Sequence, residues 1–513
     1  MNHQLVDVLV VGAGPVGLTA AAELRRRGVA VRCVDAVHHH NVSTKALGLQ
    51  ARTLELFERL GVVDAAVARG MPVRRFNIYS EEHRIAEFDL GGLDTPYPYL
   101  LMLPQNTTEE ILRNRLGELG TEVESGVELV GLTQDHGGVD TVLRDGDRSE
   151  HVRVDWVIAA DGAHSSVRHR LGLRFEGGAF REEFATADVR VDWPLPADEL
   201  FAFLNRGNFK VQSAIDACGP AGARAVEIGD RSRFVIHQRT VERQSVGRVF
   251  LAGDAAHVHS VVGAQGLNIG VQDAFNLAWK LAAVISGTSA PNLLETYADE
   301  RHPAARRIVN GTRRATRMTL LRRRPAVFAR RHVAPLVLRR RRVRSTIEHA
   351  LSQLDISYRS PGAVADTALV TGDRAPDVPL RHFGVAQLRG APVTRLFEVI
   401  GRDEFSLLMV GGQDDLATRY RPIHQVASAF PVVHEYVVLP DSRYHADADI
   451  AATILVDVGN TLRRKYGIDQ RAMLPIRPDG YLALRHDEWA PETLRNQLRR
   501  LLIPAQSTQP EEV

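Results

Sequence analysis

Three glycines and an acid near the N-terminus are spaced as in a turn that binds a phosphate chain. Gly12, Gly14 and Gly17 form the pattern GxGxxG between an apolar β-branched run and a predicted helix that opens at Pro15, and the next apolar run ends in Asp35. Gly12 would permit the tight turn, Gly14 would let the backbone approach a pyrophosphate, and Gly17 would let the helix pack on the strand. The first N–H groups of the helix would face the anion, and the acid could accept from a ribose hydroxyl. This arrangement predicts dinucleotide binding without separating NAD from FAD.

Two further acid–glycine pairs stand at the ends of predicted strands. Asp161–Gly162 follows the apolar run 156–160, and Gly253–Asp254 follows the run 249–252. Each acid also has a plainer interpretation, because Asp-Gly is a common turn dipeptide and Asp is a common helix cap. A glycine-rich stretch after the second pair opens a long apolar helix, whose first residues are Gly266, Leu267 and Asn268.

The three motifs, in this order, resemble the FAD-dependent aromatic hydroxylases, the single-component flavoprotein monooxygenases that act on phenols and polyketides. The resemblance extends from Val6 to Tyr297. Gln105 stands where the family places a flavin-contacting glutamine, and the segment that begins with Ser43 and Lys45 resembles the family's stretch after the second strand.

The resemblance implies that FAD is the cofactor and that NADPH or NADH is the reductant. It assigns Asp254 to the ribityl chain of the flavin and Asp161 to a region near the flavin and the nicotinamide pyrophosphate. The positive end of the helix at Gly266 would face the N1–C2 carbonyl region of the ring. The implied cofactor-binding residues are Gly12, Gly14, Pro15, Gly17, Asp35, Lys45, Gln105, Asp161, Gly162, Gly253, Asp254, Gly266, Leu267 and Asn268. No catalytic residue and no metal site is assigned.

The implied activity is hydroxylation of an aromatic phenolic or polyketide substrate with O₂ through a flavin C4a-hydroperoxide. A Baeyer–Villiger or epoxidising monooxygenase acting on a polyketide is one alternative, and a flavin-binding scaffold without turnover is another. A flavin halogenase is disfavoured because the Trp-x-Trp-x-Ile-Pro stretch of that class is absent.

Two features depart from the family pattern. Val261, Ala264, Leu267 and Ile269 replace a proline, a glycine, a methionine and a threonine that are usual in the family. The interval from Asp161 to Asp254, which supplies the sheet over the substrate pocket, is also shorter than the family leads us to expect.

The fold class expected is α/β: a Rossmann-like FAD-binding domain with an inserted β-sheet substrate domain, and a C-terminal thioredoxin-like domain. We expect the FAD-binding domain at 1–175 and 240–360, the substrate sheet at 176–239 with parts of 70–105, a linker at 361–399, and the last domain at 400–513. That last domain has no cysteine, so it cannot perform thiol–disulfide exchange.

Composition excludes several other classes of protein. The net charge is +2, with 44% hydrophobic and 25% charged residues, which disfavours a nucleic-acid partner and extensive disorder. Two cysteines, Cys33 and Cys218, rule out a disulfide framework and a structural zinc site of cysteines. No signal peptide or membrane span is predicted, so we expect a cytoplasmic protein without membrane contact that binds a small aromatic substrate. A homodimer is the expected assembly.

Two local features remain. The segment 301–347 contains sixteen arginines and no acid, which allows a membrane-surface or nucleic-acid patch. The favoured interpretation is amphipathic helices paired with acids elsewhere, with core-facing residues Leu320, Leu321, Val327, Phe328, Val333, Leu336 and Leu338. His38, His39 and His40 look like a metal tract, but a solvated loop is the better prediction.

Overall fold

A computed structural model describes the chain at residues 6–38, 47–80, 83–204, 215–216, 219–259, 263–320, 324–359, 369–382, 394–400, 403–412, 416–440 and 450–504. The helices are α1 (Pro15–Arg26), α2 (Ala51–Leu60), α3 (Val63–Arg69), α4 (Gln105–Glu118), α5 (Ser166–Arg170), α6 (Gly266–Ile285), α7 (Glu295–Leu320), α8 (Arg324–His332), α9 (Ala334–Leu338), α10 (Arg341–Ser352), α11 (Leu396–Val399), α12 (Leu416–Ala427), α13 (Thr461–Tyr466) and α14 (Pro491–Leu501).

The strands begin and end as follows: β1 (Val8–Val11), β2 (Val31–Asp35), β3 (Gly48–Leu49), β4 (Met71–Val73), β5 (Arg75–Ser80), β6 (His83–Asp89), β7 (Leu100–Met102), β8 (Val123–Ser125), β9 (Val127–Gln134), β10 (Val139–Asp145), β11 (Arg148–Val154), β12 (Trp156–Ala159), β13 (Phe175–Asp192), β14 (Glu199–Phe203), β15 (Arg224–Val241), β16 (Ser245–Val246), β17 (Val249–Leu251), β18 (His257–Val258), β19 (Pro379–His382), β20 (Thr394–Arg395), β21 (Phe405–Val410), β22 (Val433–Pro440), β23 (Thr453–Asp457) and β24 (Ala472–Ile476).

The chain divides into two compact units. Unit 1 comprises 1–93, 97–278 and 297–355, and unit 2 comprises 94–96, 279–296 and 356–513. Each unit has its own buried apolar core. The stretch that composition suggested as a linker carries β19 and α11, and its described residues Leu380 and Leu396 are buried in unit 2.

The central sheet of unit 1 has the strand order β16-β17-β12-β1-β2-β8. β1 pairs in parallel with both β2 and β12, and β12 pairs in parallel with β17. These short strands are buried on both faces, as their continuous apolar sequences predict. Because parallel strands end at one edge of a sheet, the segments that follow β1, β2, β12 and β17 must emerge together.

The interval between the two acid–glycine pairs contributes three strands to two small sheets. β13 and β15 form a long antiparallel pair that continues into β18, whereas β14, which lies between them in the chain, pairs in parallel with β5, which in turn pairs with β6. Most side chains of β13 and β15 are exposed. Only the second of these sheets combines residues of the interval, 199–203, with residues 75–89.

Unit 2 is built around a six-stranded mixed sheet of order β20-β19-β23-β22-β21-β24. β21, β22 and β23 are mutually parallel, while β24 and β19 run antiparallel to their neighbours. β21 is buried along its whole length. Within the described residues, no helix has the length and apolarity needed to cross a bilayer.

Candidate functional site

The turn between β1 and α1 contains glycines at three positions for three different reasons. Gly12 has a φ of 101°, and a Cβ there would lie 2.4 Å from the carbonyl oxygen of Ala160. A Cβ on Gly17 would lie 1.8 Å from the carbonyl oxygen of Gly12. Gly14, in contrast, has an ordinary φ of −73°, and a Cβ there would meet no described atom within 4 Å. Packing demands the outer two glycines, whereas the middle one keeps a space open.

That open space adjoins the start of α1. Pro15 occupies the first turn, and within the described part of the chain no side chain caps this helix end. The first N–H groups of a helix lack intrahelical partners, and the helix dipole adds partial positive charge there. An anionic group can therefore occupy the space that Gly14 leaves.

Asp35 ends β2 and holds this turn in place. Its Oδ2 accepts a hydrogen bond of 2.6 Å from the Ala13 N–H, and its Oδ1 accepts one of 2.9 Å from the Val37 N–H. A carboxylate has about four lone-pair sites, so both oxygens can accept further hydrogen bonds. The predicted contact with a ribose hydroxyl stays a prediction, and positioning of the glycine turn is a second task that the sequence did not reveal.

The Asp161–Gly162 turn lies directly against the glycine turn. Oδ2 of Asp161 accepts from the Val167 N–H at 3.2 Å and from the Ser166 hydroxyl at 3.3 Å. Oδ1 is buried and has no hydrogen-bond partner among the described residues. A buried carboxylate oxygen without a partner is costly, so a ligand that donates a hydrogen bond here would stabilise the fold.

Gly253 and Asp254 form a short 3₁₀ turn after β17. Gly253 has a φ of 60°, and Asp254 is exposed at the surface of the turn. A Cβ on Gly253 would lie 2.8 Å from the side chain of Val16, and one on Gly270 would lie 2.6 Å from the same side chain. These close approaches bring the turn, the start of α1 and the first turns of α6 into direct contact.

Asn268, in the first turn of α6, joins this helix to the segment after β3. Its Oδ1 accepts from the Gln50 N–H and from the Thr53 hydroxyl, both at 2.7 Å. Its Nδ2 donates to the carbonyl oxygens of Gly48 at 2.8 Å and Ala264 at 2.7 Å. The side chain is fully buried, so its four hydrogen bonds fix the helix start against the loop.

Other predicted residues lie around this junction. Gly266 and Leu267 are half-buried at the start of α6, and a Cβ on Gly266 would touch the His259 ring at 3.5 Å. Gln105 opens α4, where its Nε2 donates to Glu109 at 2.8 Å. The strand preceding it, β7, pairs with β3. Lys45 and Val261 lie outside the described residues.

A buried network of charged side chains holds the Gly253–Asp254 turn in place. Asp273 of α6 accepts from the Gly253 N–H at 3.0 Å, contacts His257 Nε2 at 2.6 Å and accepts from Arg301 Nε at 2.8 Å. Burial by itself would raise the pKa of Asp273, but the adjacent His257 and Arg301 hold the pKa below its ordinary value. The carboxylate is therefore charged and anchors the turn to α6 and α7.

The sequence interpretation missed Asp273 and Arg168. Arg168 donates to the carbonyl oxygens of Ala163 at 2.9 Å and Ala255 at 3.0 Å, and so ties the two acid–glycine turns together. The signal available for Asp273 was a lone acid in the apolar first half of α6. For Arg168 it was an arginine in the segment that follows Asp161, but its partners cannot be found from spacing. No group of three metal-ligating side chains occurs within the described residues, which include His38.

The three motifs thus meet at one edge of the central sheet, and the cradle fits a dinucleotide cofactor. The start of α1, with the open space beside Gly14, suits a pyrophosphate. Oδ1 of Asp161, which has no partner among the described residues, can accept a hydrogen bond from a ligand. FAD carries both a pyrophosphate and hydroxyl donors. The residues present therefore fit the group that the resemblance implies.

Comparison with known proteins agrees with this chemistry. Residues 5–206 and 208–312 match the family model described as an FAD binding domain. The chain is 36% identical to 6-methylpretetramide 4-monooxygenase from Streptomyces rimosus, over 98% of this chain and 95% of the relative. It is 33% identical to a flavin-dependent monooxygenase from Mycobacteroides abscessus, over 93% of this chain and 97% of that relative. The solved ternary complex of aklavinone-11 hydroxylase with FAD and aklavinone superposes with a TM-score of 0.73 at 28% identity, covering 98% of this chain and 99% of that one.

Proposed function

This chain belongs to the family of FAD-dependent aromatic and polyketide monooxygenases, and we propose that its own substrate is a polycyclic aromatic polyketide. The observation that carries the proposal is the similarity, over almost the whole length of both chains, to a relative named for 6-methylpretetramide. The aklavinone complex supports the same substrate class. Enzyme class and cofactor follow from the family: the protein is an FAD-dependent monooxygenase.

FAD, when bound, would supply hydride acceptance from NADPH or NADH and activation of O₂ for transfer of one oxygen atom to the substrate. The chain's own residues bind and orient the cofactor. The start of α1 would hold the pyrophosphate, with Gly14 giving it room and Asp35 fixing the turn. Asp254, which is exposed, would accept from the ribityl chain, and Asp161 Oδ1 would accept a further hydrogen bond. The dipole of α6 favours negative charge at its first turn, which Asn268 holds against the loop.

An apolar cluster next to this loop is the proposed substrate wall. Met102 and Leu200 keep partial exposure and pack against buried members of the cluster, which are Ala51, Leu90, Leu93, Leu100 and Leu354. Ala51 immediately follows Gln50, whose N–H binds Asn268. An uncharged wall beside the cradle suits a flat, largely apolar ring system and keeps water away from it.

Unit 2 is proposed to be a thioredoxin-like domain with a structural role. The order β22-β21-β24, with a parallel β21–α12–β22 unit and antiparallel β24, supports this assignment. The sequence places no cysteine in this unit, so thiol chemistry is excluded. Cytoplasmic location, the use of O₂ and a homodimeric assembly stay predictions from the sequence.

The test is oxidation of NADPH by the purified FAD-loaded protein, with and without a panel of polycyclic polyketides and simple phenols. We expect a polycyclic compound to stimulate oxidation and to gain one oxygen atom, as measured by mass spectrometry. The Leu200→Ser variant should raise KM for that compound with little change in kcat, whereas Val226→Ser, an exposed position on β15, should change neither.

Other outcomes would redirect the assignment. Stimulation by phenols alone would overturn the polyketide substrate while leaving the monooxygenase intact. A ring-expanded lactone or an epoxide as product would favour the Baeyer–Villiger or epoxidising alternative. NADPH oxidation that no aromatic compound stimulates would favour a flavin-binding scaffold.

A further inference from the structure

Helices α8, α9 and α10 present large apolar side chains to solvent in the most basic part of the chain. We name this the α8–α10 surface, and we include the end of α7 that precedes it. Its exposed apolar residues, with their exposed fractions, are Met318 (64%), Phe328 (63%), Val333 (50%), Leu336 (65%) and Val337 (42%). The core-facing prediction is therefore wrong for Phe328, Val333 and Leu336, whereas Leu320, Val327 and Leu338 are half-buried and Leu321 lies outside the described residues.

The inner side of these helices already has a partner. All three helices contact β6, and the half-buried residues Val327, Ala334 and Leu338 alternate with the exposed ones along α8 and α9. In α9 none of the five residues is fully buried. Because the inner side is occupied, Phe328, Leu336 and Val337 belong to an outer face that nothing in the described chain covers.

The charge around these exposed apolar residues is also unbalanced. Arg339, Arg340, Arg341 and Arg342 are exposed, and no described carboxylate lies within ion-pair distance of any of them. Elsewhere in the segment, Arg344 pairs with Glu348 at the far end of α10. The described acids, which were expected to pair with the arginines of this segment, therefore do not pair with the arginines at 339–342.

We propose that the α8–α10 surface binds the surface of an anionic lipid bilayer. Short helices with arginines beside exposed Phe, Leu, Val and Met are the pattern of interfacial segments, whose apolar side chains enter the headgroup region while the cations meet anionic lipid. The surface lies on the membrane and does not span it, in agreement with the helix lengths and hydropathy. This inference revises the expectation of no membrane contact, and it stands independently of the proposed substrate.

Competing occupants fit the observations less well. A second copy of the chain would bring two unneutralised arginine clusters together, which is repulsive. Nucleic acid would meet the arginines but would leave Leu336, Val337 and Val333 without a suitable contact, because nucleic-acid sites combine cations with aromatic stacking. A bilayer satisfies the charge and the aliphatic side chains together.

The experiment is flotation of the full-length, FAD-loaded protein with vesicles of phosphatidylcholine, with and without phosphatidylglycerol. We expect binding only to the anionic vesicles, and loss of binding in high salt. The Phe328→Ser/Leu336→Ser variant and the variant with Arg339, Arg340, Arg341 and Arg342 changed to Gln should each weaken partitioning by about ten-fold or more.

Control variants separate this surface from general basicity and general exposure of apolar groups. Arg499→Gln/Arg500→Gln removes two exposed arginines at the end of α14, and Val226→Ser/Ile228→Ser removes exposed apolar side chains from β15. Both should bind vesicles as the unmodified chain does. All variants should retain their flavin absorbance, because the substituted positions lie outside the cofactor cradle.

Three results would overturn the proposal. The first is failure of the unmodified protein to bind anionic vesicles, and the second is equal binding by the α8–α10 variants. The third is that the unmodified protein self-associates, or binds DNA at physiological salt, through this surface. In that case the Phe328→Ser/Leu336→Ser variant or the arginine variant would abolish self-association or DNA binding but would still bind vesicles.

Discussion

Asn268 and Asp273 each satisfy several polar groups from distant parts of the chain. Asn268 bonds to residues 48–53 and to Ala264, and Asp273 bonds to Gly253, His257 and Arg301. Both lie within the first half of α6 and both are fully buried. A buried polar group that is fully satisfied fixes one arrangement, because every alternative leaves unpaired donors or acceptors. These two side chains therefore fix the start of α6 against residues 48–53 and against the Gly253 turn.

Ala264 occupies a left-handed backbone conformation, with a φ of 52°, where the family usually has glycine. A non-glycine residue there costs about 1–2 kcal/mol, partly offset by the greater unfolded-state entropy of glycine. We predict that Ala264→Gly raises the free energy of unfolding by about 0.5–1 kcal/mol, measured by urea denaturation.

The matched control for this prediction is Ala65→Gly. Ala65 is exposed in the interior of α3, where glycine costs up to about 1 kcal/mol, so this variant should lose stability. A loss of stability in both variants would show that position 264 is not strained.

Asp273→Asn should destabilise the fold by about 3–5 kcal/mol at neutral pH, because Arg301 would remain buried beside a neutral amide. The pKa of Asp273 is lowered in the folded state, so its contribution is complete above the unfolded pKa of about 4 and is lost as pH falls through the folded pKa. The stability difference between the two proteins should therefore narrow below about pH 4.

This pH dependence is checked by urea midpoints at neutral and acidic pH. Asp299→Asn, which removes an exposed acid from α7, serves as the control and should show little effect at either pH. If the stability difference between the two proteins is the same at acidic and at neutral pH, the Asp273 carboxylate is not the group that causes the pH dependence.

In the β1–α1 unit, some glycines of the GxGxxG motif are required by packing and one is required by ligand binding. Gly12 and Gly17 are compelled by the approach of backbone atoms, whereas the backbone at Gly14 suits any residue. Likewise, α6 can start against the Gly253 turn because Gly270 presents no side chain to Val16. Glycines of one pattern thus serve different purposes, and each can be tested separately.

Gly14→Ala should fold normally and yet bind FAD at least about ten-fold more weakly, because the new methyl group would fill the space left for the pyrophosphate. Gly17→Ala should fail to fold, or lose several kcal/mol, because its Cβ would overlap the Gly12 carbonyl. Circular dichroism and FAD titration distinguish the two variants.

Gly311→Ala is the control for the Gly14 substitution. Gly311 lies inside α7 with nothing near its Cβ position, so alanine there should stabilise the helix by about 1 kcal/mol and leave FAD affinity unchanged. Normal FAD affinity in Gly14→Ala would show that the pyrophosphate does not bind in the space beside Gly14.

At the scale of the whole molecule, two units with separate cores divide the tasks. Unit 1 contains the cradle, and unit 2 has a mixed sheet with apolar side chains buried on both faces. A ligand stabilises only the fold that binds it. FAD should therefore raise the free energy needed to open unit 1. Cys33, fully buried on β2, is a reporter for that opening, and burial raises the pKa of its thiol to about 12.

In a Cys218→Ser variant, we predict that Cys33 reacts with a thiol reagent only when unit 1 unfolds. FAD at about 100 times its Kd should raise the opening free energy by about 2.7 kcal/mol, which slows labelling about 100-fold under rapid reclosing. The same variant carrying Gly14→Ala should show much less slowing at equal FAD. Rapid labelling of the native protein would contradict the burial of Cys33.

The sequence by itself determined the strand–turn–helix units, because each depends on contiguous residues: an apolar run, glycines at fixed offsets and an acid at the strand end. The family and its cofactor followed from those local patterns, and the comparisons confirmed both. Tertiary structure decided what depends on distant residues. It revealed Asp273 and Arg168 as supports, gave Asp35 and Asp161 backbone partners, and turned Phe328, Val333 and Leu336 outward. A helical apolar pattern predicts that a helix has an apolar face, but only the packing against β6 decides which of its side chains are covered.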